Sequence, residues 1–144
     1  MVKIREVENV DEKLVAAYQK LIPQLSSSSP SPSEAELTSI VNSDSAIVLI
    51  AEEDNGDIVG SMTLIIFRIP TGVRAWIEDV VVDDAARGKG IGKALNKYAI
   101  QLAEQAGAKT IDLTSRPSRE VANRLYQRLG FEPRQTNVYR YTVS

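Results

Sequence analysis

The chain has 144 residues, of which 43% are hydrophobic and 25% are charged, which is the size and composition of one globular domain. It contains no cysteine and no histidine, which excludes disulfides, thiolate nucleophiles and Ser-His-Asp hydrolases and removes the commonest metal ligand. The net charge of −2 is uneven: residues 1–60 carry 4 Lys/Arg and 11 Asp/Glu, whereas residues 61–144 carry 13 and 8. A basic second half favours an anionic ligand there, although solvated helix faces would give the same balance.

No stretch of the sequence is apolar for long enough to cross a membrane, and the N-terminal MVKIREVENV lacks the apolar run of a signal peptide. We therefore expect a cytoplasmic protein with no membrane, nucleic-acid or metal partner. Without histidine, any acid–base chemistry must come from carboxylates, Tyr, Lys or water.

The first third of the chain predicts one strand and two helices. Apolar and charged residues alternate over Lys3–Glu8 as in a half-buried strand, and Asp11 is a candidate cap for a helix that Pro23 would end or kink. The Ser/Pro stretch Ser26–Ser33 predicts a mobile loop, and its last serine would cap a short helix through about Asn42. A domain linker is the competing interpretation, but too few residues precede the loop to form a separate core.

The rest of the chain alternates between strands and helices. The signal for a hairpin is DNGD, which lies between two apolar runs. We predict strands at Ala46–Glu53, Ile58–Phe67, Gly72–Val82, Lys109–Thr114 and Val138–Val143, and helices at Gly90–Ala106 and Pro117–Gly130, the last with an apolar stripe of Val121, Leu125 and Leu129. This order predicts an α+β protein: a single domain over residues 1–144, with a mixed, mostly antiparallel sheet flanked by about four helices.

A cluster of alternating glycines follows the predicted strand Gly72–Val82, in VVVDDAARGKGIGKAL. Glycines that open a helix let backbone N–H groups approach an anion, and the positive end of the helix dipole adds to the attraction. The spacing does not fit the P-loop, which needs four residues between its first Gly and the Gly-Lys pair and then Ser or Thr, because GKGIGKA has three residues between them and Ala afterwards. It does not fit the dinucleotide fingerprint G-x-G-x-x-G either, because the third glycine comes one residue early. A glycine-rich turn without a ligand is the competing interpretation.

The pattern R-x-x-G-x-G, formed by Arg87, Gly90 and Gly92, resembles the acetyl-CoA motif of the GNAT superfamily of N-acetyltransferases. IEDVVVDDAARGKGIGKAL matches that motif, and ANRLYQRLGF matches the family's C-terminal motif, in which a helix carries a Tyr shortly before Gly-Phe. The detailed resemblance runs from about Trp76 to Phe131, and the order of elements extends it loosely over the chain. Two motifs in order argue strongly against a turn without a ligand.

The resemblance implies that acetyl-CoA is a co-substrate. Its pantetheine arm would bind the backbone of the strand that precedes the glycines, and its pyrophosphate would bind the turn itself. These roles fall on the strand residues Val80, Val81 and Val82, on the turn residues Arg87, Gly88, Lys89, Gly90, Ile91, Gly92 and Lys93, and on Asn123, which would contact CoA from the later helix. The valines are equally explained by a buried strand, Lys89 by a solvated side chain, and Asn123 by an exposed helix face.

The resemblance also implies the catalytic groups. Tyr126 would donate a proton to the departing CoA thiolate, and a phenol is protonated at neutral pH; packing of Tyr126 in the core is the alternative. Glu78 is the candidate general base, with a water relay or Asp79 as alternatives, although strand alternation would turn Asp79 to the opposite face unless a bulge intervenes. The amine would attack the thioester directly, and a backbone N–H at Val80 or Val81 would stabilise the oxyanion.

The acceptor is open at this point: a primary amine on a small molecule or a peptide. The acidic N-terminal half favours a cationic amine, whereas IEDVVV resembles the amino-sugar branch of the family. The resemblance also admits a homodimer, since dimers are frequent in the family, and a silent acyl-CoA-binding or sensing domain. The segment Thr114–Glu120 admits two interpretations: either Arg116 and Arg119 bind an anion, or Ser118 caps the following helix and both arginines are solvated.

Overall fold

The computed structural model describes residues 2–144, which form two compact units, one up to Thr114 and one from Ser115 onward. The first unit contains five strands, three helices and one 3₁₀ turn, Asp84–Ala86. The strands are β1 (Val2–Glu6), β2 (Ala46–Glu53), β3 (Ile58–Ile69), β4 (Gly72–Val82) and β5 (Thr110–Asp112), and the helices are α1 (Glu12–Leu25), α2 (Glu34–Val41) and α3 (Ile91–Gln105).

The five strands form one sheet in the order β1-β2-β3-β4-β5. The first four pair antiparallel with their neighbours, and β5 is parallel to β4. The mixed, mostly antiparallel sheet predicted from the sequence is therefore confirmed. The parallel pair follows from α3, which carries the chain from the end of β4 back to the start of β5.

Side-chain caps define the beginnings of α1 and α2. Asp11 accepts a hydrogen bond from the amide of Leu14, and Ser33 forms a reciprocal capping box with Glu36, as the sequence indicates. The expected end of α1 at Pro23 is wrong, because the helix continues through Pro23 to Leu25, where the amide of Ser26 bonds to the carbonyl of Ile22. A proline removes one intrahelical hydrogen bond, and burial of Leu21 and Ile22 beside it stabilises the last turn.

A core cluster joins α1 and α2 to the sheet. Each fully buried large side chain contributes about 1.5–3 kcal/mol, so the helices are held mainly by this packing. The cluster consists of Val7, Leu14, Tyr18, Leu21, Ile22, Leu37, Val48, Ile50, Ile58 and Val81. In addition, α3 comes so near to β3 at Gly60 that a Cβ there would lie 3.0 Å from Ile91 Cγ2 and 3.3 Å from Leu95 Cδ1.

The second unit contains one helix, α4 (Glu120–Arg128). It ends in a Schellman motif, since the amide of Gly130 bonds to the carbonyl of Gln127 and the amide of Phe131 to the carbonyl of Tyr126, with Gly130 at φ 104°. Glycine tolerates this left-handed conformation, so Gly130 ends the helix as the sequence predicts.

Three sequence predictions fail in the second unit. Arg119, not Ser118, is the N-cap residue of α4, and no side chain caps this helix. Val121 is 73% exposed, so it does not continue the apolar stripe. The predicted strand Val138–Val143 is not formed, since the described residues of the second unit contain no strand.

Candidate active site

The edge of β4 opens where β5 leaves it. The two strands pair only from Arg74–Thr110 to Trp76–Asp112, so the backbone of β4 from Ile77 to Val82 faces no described strand on that side. This segment includes Val80, Val81 and Val82, the residues predicted to bind the pantetheine arm. An unpaired strand edge presents N–H and C=O groups that an extended ligand can use as a further strand would.

A bulge interrupts β4 within the open segment. Ser61 of β3 lies opposite Val81, whereas Thr63 lies opposite Glu78, so Asp79 and Val80 together face one residue of β3. Asp79 has φ 53°, the left-handed conformation that a residue with a side chain rarely adopts. The bulge therefore breaks the strand alternation at Asp79, which is the exception that the sequence left open.

The glycine turn between β4 and α3 is open to solvent. Gly88 and Gly90 have φ values of 83° and 77°, and a Cβ at either position would meet no atom within 4 Å. The first intrahelical bond of α3 joins the amide of Ala94 to the carbonyl of Gly90 at 3.0 Å, and no side chain caps the helix. The amides of Ile91, Gly92 and Lys93 in the first turn are therefore without intrahelical partners, as anion binding requires.

The charged side chains of the turn have different surroundings. Arg87 Nε lies 2.9 Å from Asp84 Oδ1, and Lys89 Nζ lies 3.2 Å from Glu53 Oε2. Both pairs are solvent-exposed, and such pairs are weak enough to be exchanged for a phosphate. Lys93 is exposed in the first turn of α3. The geometry of the turn thus fits a pyrophosphate through its backbone, with three cations nearby.

Sequence reasoning missed a clamp that ties α1 to this turn. Asp83 is 4% exposed; its carboxylate accepts from the amide of Ala85 at 3.1 Å and pairs with Lys20 Nζ at 2.8 Å. Gln24, one turn further along α1, accepts a hydrogen bond from the amide of Asp84 at 2.7 Å. The hydrogen bond from Lys20 holds the pKa of Asp83 below its usual range. The sequence signal that could have indicated this clamp is the i, i+4 spacing of the polar residues Lys20 and Gln24 near the end of α1.

The two candidate bases lie side by side on the bulge. Glu78 is exposed and accepts a hydrogen bond from Trp76 Nε1 at 2.8 Å, which orients its carboxylate. Partial burial of the Asp79 carboxyl raises its pKa, and the charge of Glu78 raises it further. Burial raises the pKa of the Tyr18 phenol, the hydrogen bond with Ser61 opposes this shift, and the charge of Asp79 adds to it. Tyr18 in turn forms a 2.6 Å hydrogen bond with buried Ser61.

Tyr126 and Asn123 belong to α4 in the second unit. The Tyr126 ring is half-buried and packs edge-on against Phe131, with ring centroids 5.8 Å apart. Burial raises the pKa of its phenol, with the charge of Arg119 opposing the shift, so the phenol is protonated at neutral pH. Asn123 Nδ2 donates to the carbonyl of Arg116 at 2.9 Å, which ties the loop before α4 to the helix.

The open edge of β4, its bulge and the free amides of the glycine turn are chemically suited to an extended ligand that carries a phosphate group. The family model described as Acetyltransferase (GNAT) family matches residues 13–131. The chain therefore belongs to the GNAT family of acetyltransferases, whose members use acetyl-CoA as co-substrate.

Individual relatives agree with this assignment. The chain is 31% identical over 133 residues to the glucosamine 6-phosphate N-acetyltransferase of Trypanosoma brucei brucei, covering 88% of each chain. It is 42% identical over 60 residues to the spermine/spermidine N(1)-acetyltransferase of Bacillus subtilis, covering 41% of this chain and 40% of that relative. The chain thus spans less than half the length of some of the curated relatives that it matches. An acetyltransferase structure from Agrobacterium tumefaciens has the same fold, with a TM-score of 0.85, 23% identity and coverage of 97% of this chain and 99% of that one.

Two further properties concern the described residues. Among residues 2–144, no group of three or more carboxylates is arranged to hold a metal ion. None of the helices described here is both long and apolar enough to cross a membrane.

Proposed function

We propose that this chain transfers the acetyl group of acetyl-CoA to the primary amine of a small molecule, with glucosamine 6-phosphate as the first candidate. The observation that carries the acetyl-CoA part is the open edge of β4, which runs from Ile77 to Val82 and leads into the free amides of the glycine turn. The backbone of Val80–Val82 would hold the pantetheine arm, and residues 87–93 would hold the pyrophosphate.

The proposed reaction is a direct transfer without a covalent enzyme intermediate. Glu78, or a water molecule that it polarises, accepts a proton from the acceptor amine, whose nitrogen forms a bond to the thioester carbonyl carbon. A bulge amide at Val80 or Val81 donates a hydrogen bond to the oxyanion. The C–S bond then breaks, and Tyr126 gives its proton to the CoA sulfur and recovers one from solvent. The raised pKa of Tyr126 supports this role, because the phenol must enter the reaction protonated.

The candidate acceptor rests on the relatives. The match to the T. brucei brucei glucosamine 6-phosphate N-acetyltransferase covers 88% of both chains, whereas the match to the B. subtilis polyamine enzyme covers 40% of that enzyme. The short match is therefore weaker evidence for the segments that would contact an acceptor. The acidic first half of the chain is what favours a polyamine, so spermidine is the second candidate.

A thiol-release assay with acetyl-CoA and equal concentrations of glucosamine 6-phosphate or spermidine tests the proposal. We expect release of CoA with the amino sugar well above the rate without amine. Faster turnover of spermidine would overturn the choice of acceptor. Binding of acetyl-CoA without turnover of either amine would indicate a silent binding domain.

Tyr126→Phe tests the general acid in the same assay. A positioned acid contributes about 10²- to 10⁴-fold to the rate, so kcat should fall within that range while the dissociation constant of acetyl-CoA stays nearly constant. Tyr98→Phe, which removes a hydroxyl from α3, is the matched control and should retain the wild-type kcat. If Tyr126→Phe turns over as fast as Tyr98→Phe, Tyr126 is not the acid.

The base is tested by comparing Glu78→Gln with Asp79→Asn. If Glu78 is the base, Glu78→Gln should lower kcat/KM by about 10²- to 10⁴-fold, and Asp79→Asn should keep it near the wild-type value. The opposite result would assign the base to Asp79. Retention of the wild-type kcat/KM in both variants would favour a water relay without either carboxylate.

A further inference from the structure

The glycine turn has little packing of its own. A Cβ at Gly88 or Gly90 would meet none of the described atoms within 4 Å, so no side chain packs against the turn at these positions. The 3₁₀ turn that leads into it, Asp84–Ala86, borders a cavity of about 370 Å³, which Ala85 and Ala86 help to line. Because glycine has the most conformational freedom to lose, a turn of this kind needs fixed points at its base.

The fixed points are polar, and two residues of α1 supply them. Gln24 Oε1 accepts a hydrogen bond from the amide of Asp84 at 2.7 Å, and Gln24 Nε2 donates to Asp83 Oδ1 at 3.4 Å. Lys20 Nζ lies 2.8 Å from Asp83 Oδ2, and the carbonyl of Lys20 accepts from Gln24 Nε2 at 3.1 Å. The two α1 residues, the Asp83 carboxylate and the Asp84 amide therefore form one connected clamp where the chain enters the turn.

We propose that Gln24 is a positioning residue for acetyl-CoA, which acts through the amide of Asp84 while Lys20 holds the neighbouring carboxylate of Asp83. The clamp fixes the entry to the glycine turn and so keeps the free amides of the first turn of α3 in the arrangement that receives an anion. Gln24 acts on the conformation of the turn before binding, which lowers the cost of ordering it when the co-substrate arrives. The inference rests on the proposal that this turn holds the pyrophosphate.

The packing of α1 is separate from this role. The buried residues of the helix are Leu14, Tyr18, Leu21 and Ile22. Lys20 is exposed and Gln24 is half-buried, so neither belongs to the core cluster. Asp84 is exposed, so water can replace Gln24 as the acceptor for its amide. Loss of the Gln24 side-chain amide should therefore leave α1 in place and give the turn more freedom.

The size of the effect follows from the hydrogen bonds that are lost. The apparent Kd of a ligand rises in inverse proportion to the fraction of the protein in the binding conformation. One net hydrogen bond shifts such an equilibrium by roughly 2- to 12-fold. Gln24→Met, which keeps the length of the side chain and removes its polar atoms, should thus raise the Kd of CoA by about 3- to 10-fold.

Calorimetric titration with CoA measures this loss. Gln19→Met is the matched control, because Gln19 is exposed on the same helix, and it should leave the Kd within about twofold of the wild-type value. Both variants should keep Tm within roughly 4 °C of wild type. With an acceptor amine that is turned over, Gln24→Met should raise the KM of acetyl-CoA by the same factor as the Kd and leave kcat near wild type. A fall in kcat at unchanged KM would refute a positioning role in co-substrate binding.

A double-mutant cycle tests whether Gln24 acts through the amide of Asp84. Asp83 has ψ 131°, which suits a residue before proline, so Asp84→Pro can remove this N–H and fix φ at the first position of the 3₁₀ turn. In that background Gln24→Met should raise the Kd of CoA by less than about twofold, because the bond it removes is already absent. The same 3- to 10-fold loss in both backgrounds would refute the proposed route.

The calorimetry separates failure of this inference from failure of the proposed function. If the wild-type chain does not bind CoA, the assignment of the pyrophosphate to the glycine turn is overturned together with the role of Gln24. If the wild-type chain binds CoA and Gln24→Met binds it equally well, or Gln19→Met loses as much affinity, the role of Gln24 alone is overturned.

Discussion

Helix α3 has a left-handed glycine at each end, which permits a matched test of the glycine turn. Gly90 has φ 77° at the N-terminus and Gly107 has φ 80° at the C-terminus, and a Cβ at either would meet nothing within 4 Å. Substitution by alanine therefore introduces backbone strain alone, of about 1–2 kcal/mol at each position. For a chain of this size we expect Gly90→Ala and Gly107→Ala to lower Tm by similar amounts, roughly 2–8 °C.

The two variants should differ in their affinity for CoA. A methyl group at Gly90 projects beside the free amides of the first turn, where a pyrophosphate would lie, whereas Gly107 is at the other end of the helix. We expect Gly90→Ala to raise the Kd of CoA by at least about tenfold, equivalent to about 1.4 kcal/mol, and Gly107→Ala to leave it within about twofold. Calorimetric titration with CoA and a thermal melt measure both quantities. An equal loss of affinity in both variants, or none in Gly90→Ala, would refute the assignment of the turn.

The remaining predictions concern the residues that support the turn and the bulge. Asp83→Ala removes a buried carboxylate that caps the 3₁₀ turn and should cost about 2–4 kcal/mol, whereas the neighbouring exposed Asp84→Ala should cost less than about 1 kcal/mol. The pKa of Asp83 is lowered in the folded state, so its carboxylate contributes its full stabilisation above the ordinary pKa of Asp. That stabilisation is lost as the pH falls through the lower pKa of the folded state. The difference in Tm between Asp83→Ala and wild type should therefore shrink below about pH 4. Gly60→Ala should destabilise the fold by about 1–3 kcal/mol, since its Cβ would lie 3.3 Å from the carbonyl oxygen of Val81 as well as against α3. Asp79→Gly should keep or raise Tm and Asp79→Val should lower it, because a β-branched residue is strained at φ 53°; equal melts would argue against the left-handed bulge.

Local signals in the sequence predicted most of the first unit. The bounds of β4 agree with the structure residue for residue, and both Asp11 and Ser33 cap the helices expected of them. These features depend on alternation, on cap chemistry and on glycine, all of which act over a few residues. The same reasoning failed at Pro23 because packing of α1 against the sheet, which is not a local property, outweighs one lost hydrogen bond.

The features that the sequence could not supply depend on residues far apart in the chain. The clamp joins Lys20 and Gln24 to Asp83 and Asp84 across about sixty positions, and the bulge becomes visible only when β3 and β4 are aligned. This alignment matters most for the candidate base. Strand alternation alone would place Glu78 and Asp79 on opposite faces of the sheet. Because Asp79 is left-handed, its carboxyl instead lies where the charge of Glu78 raises its pKa. Which of Glu78 and Asp79 can act as the general base therefore depends on the backbone conformation of Asp79. A Gly at position 79 keeps that conformation without the carboxylate, so Asp79→Gly separates the geometry of the bulge from its charge.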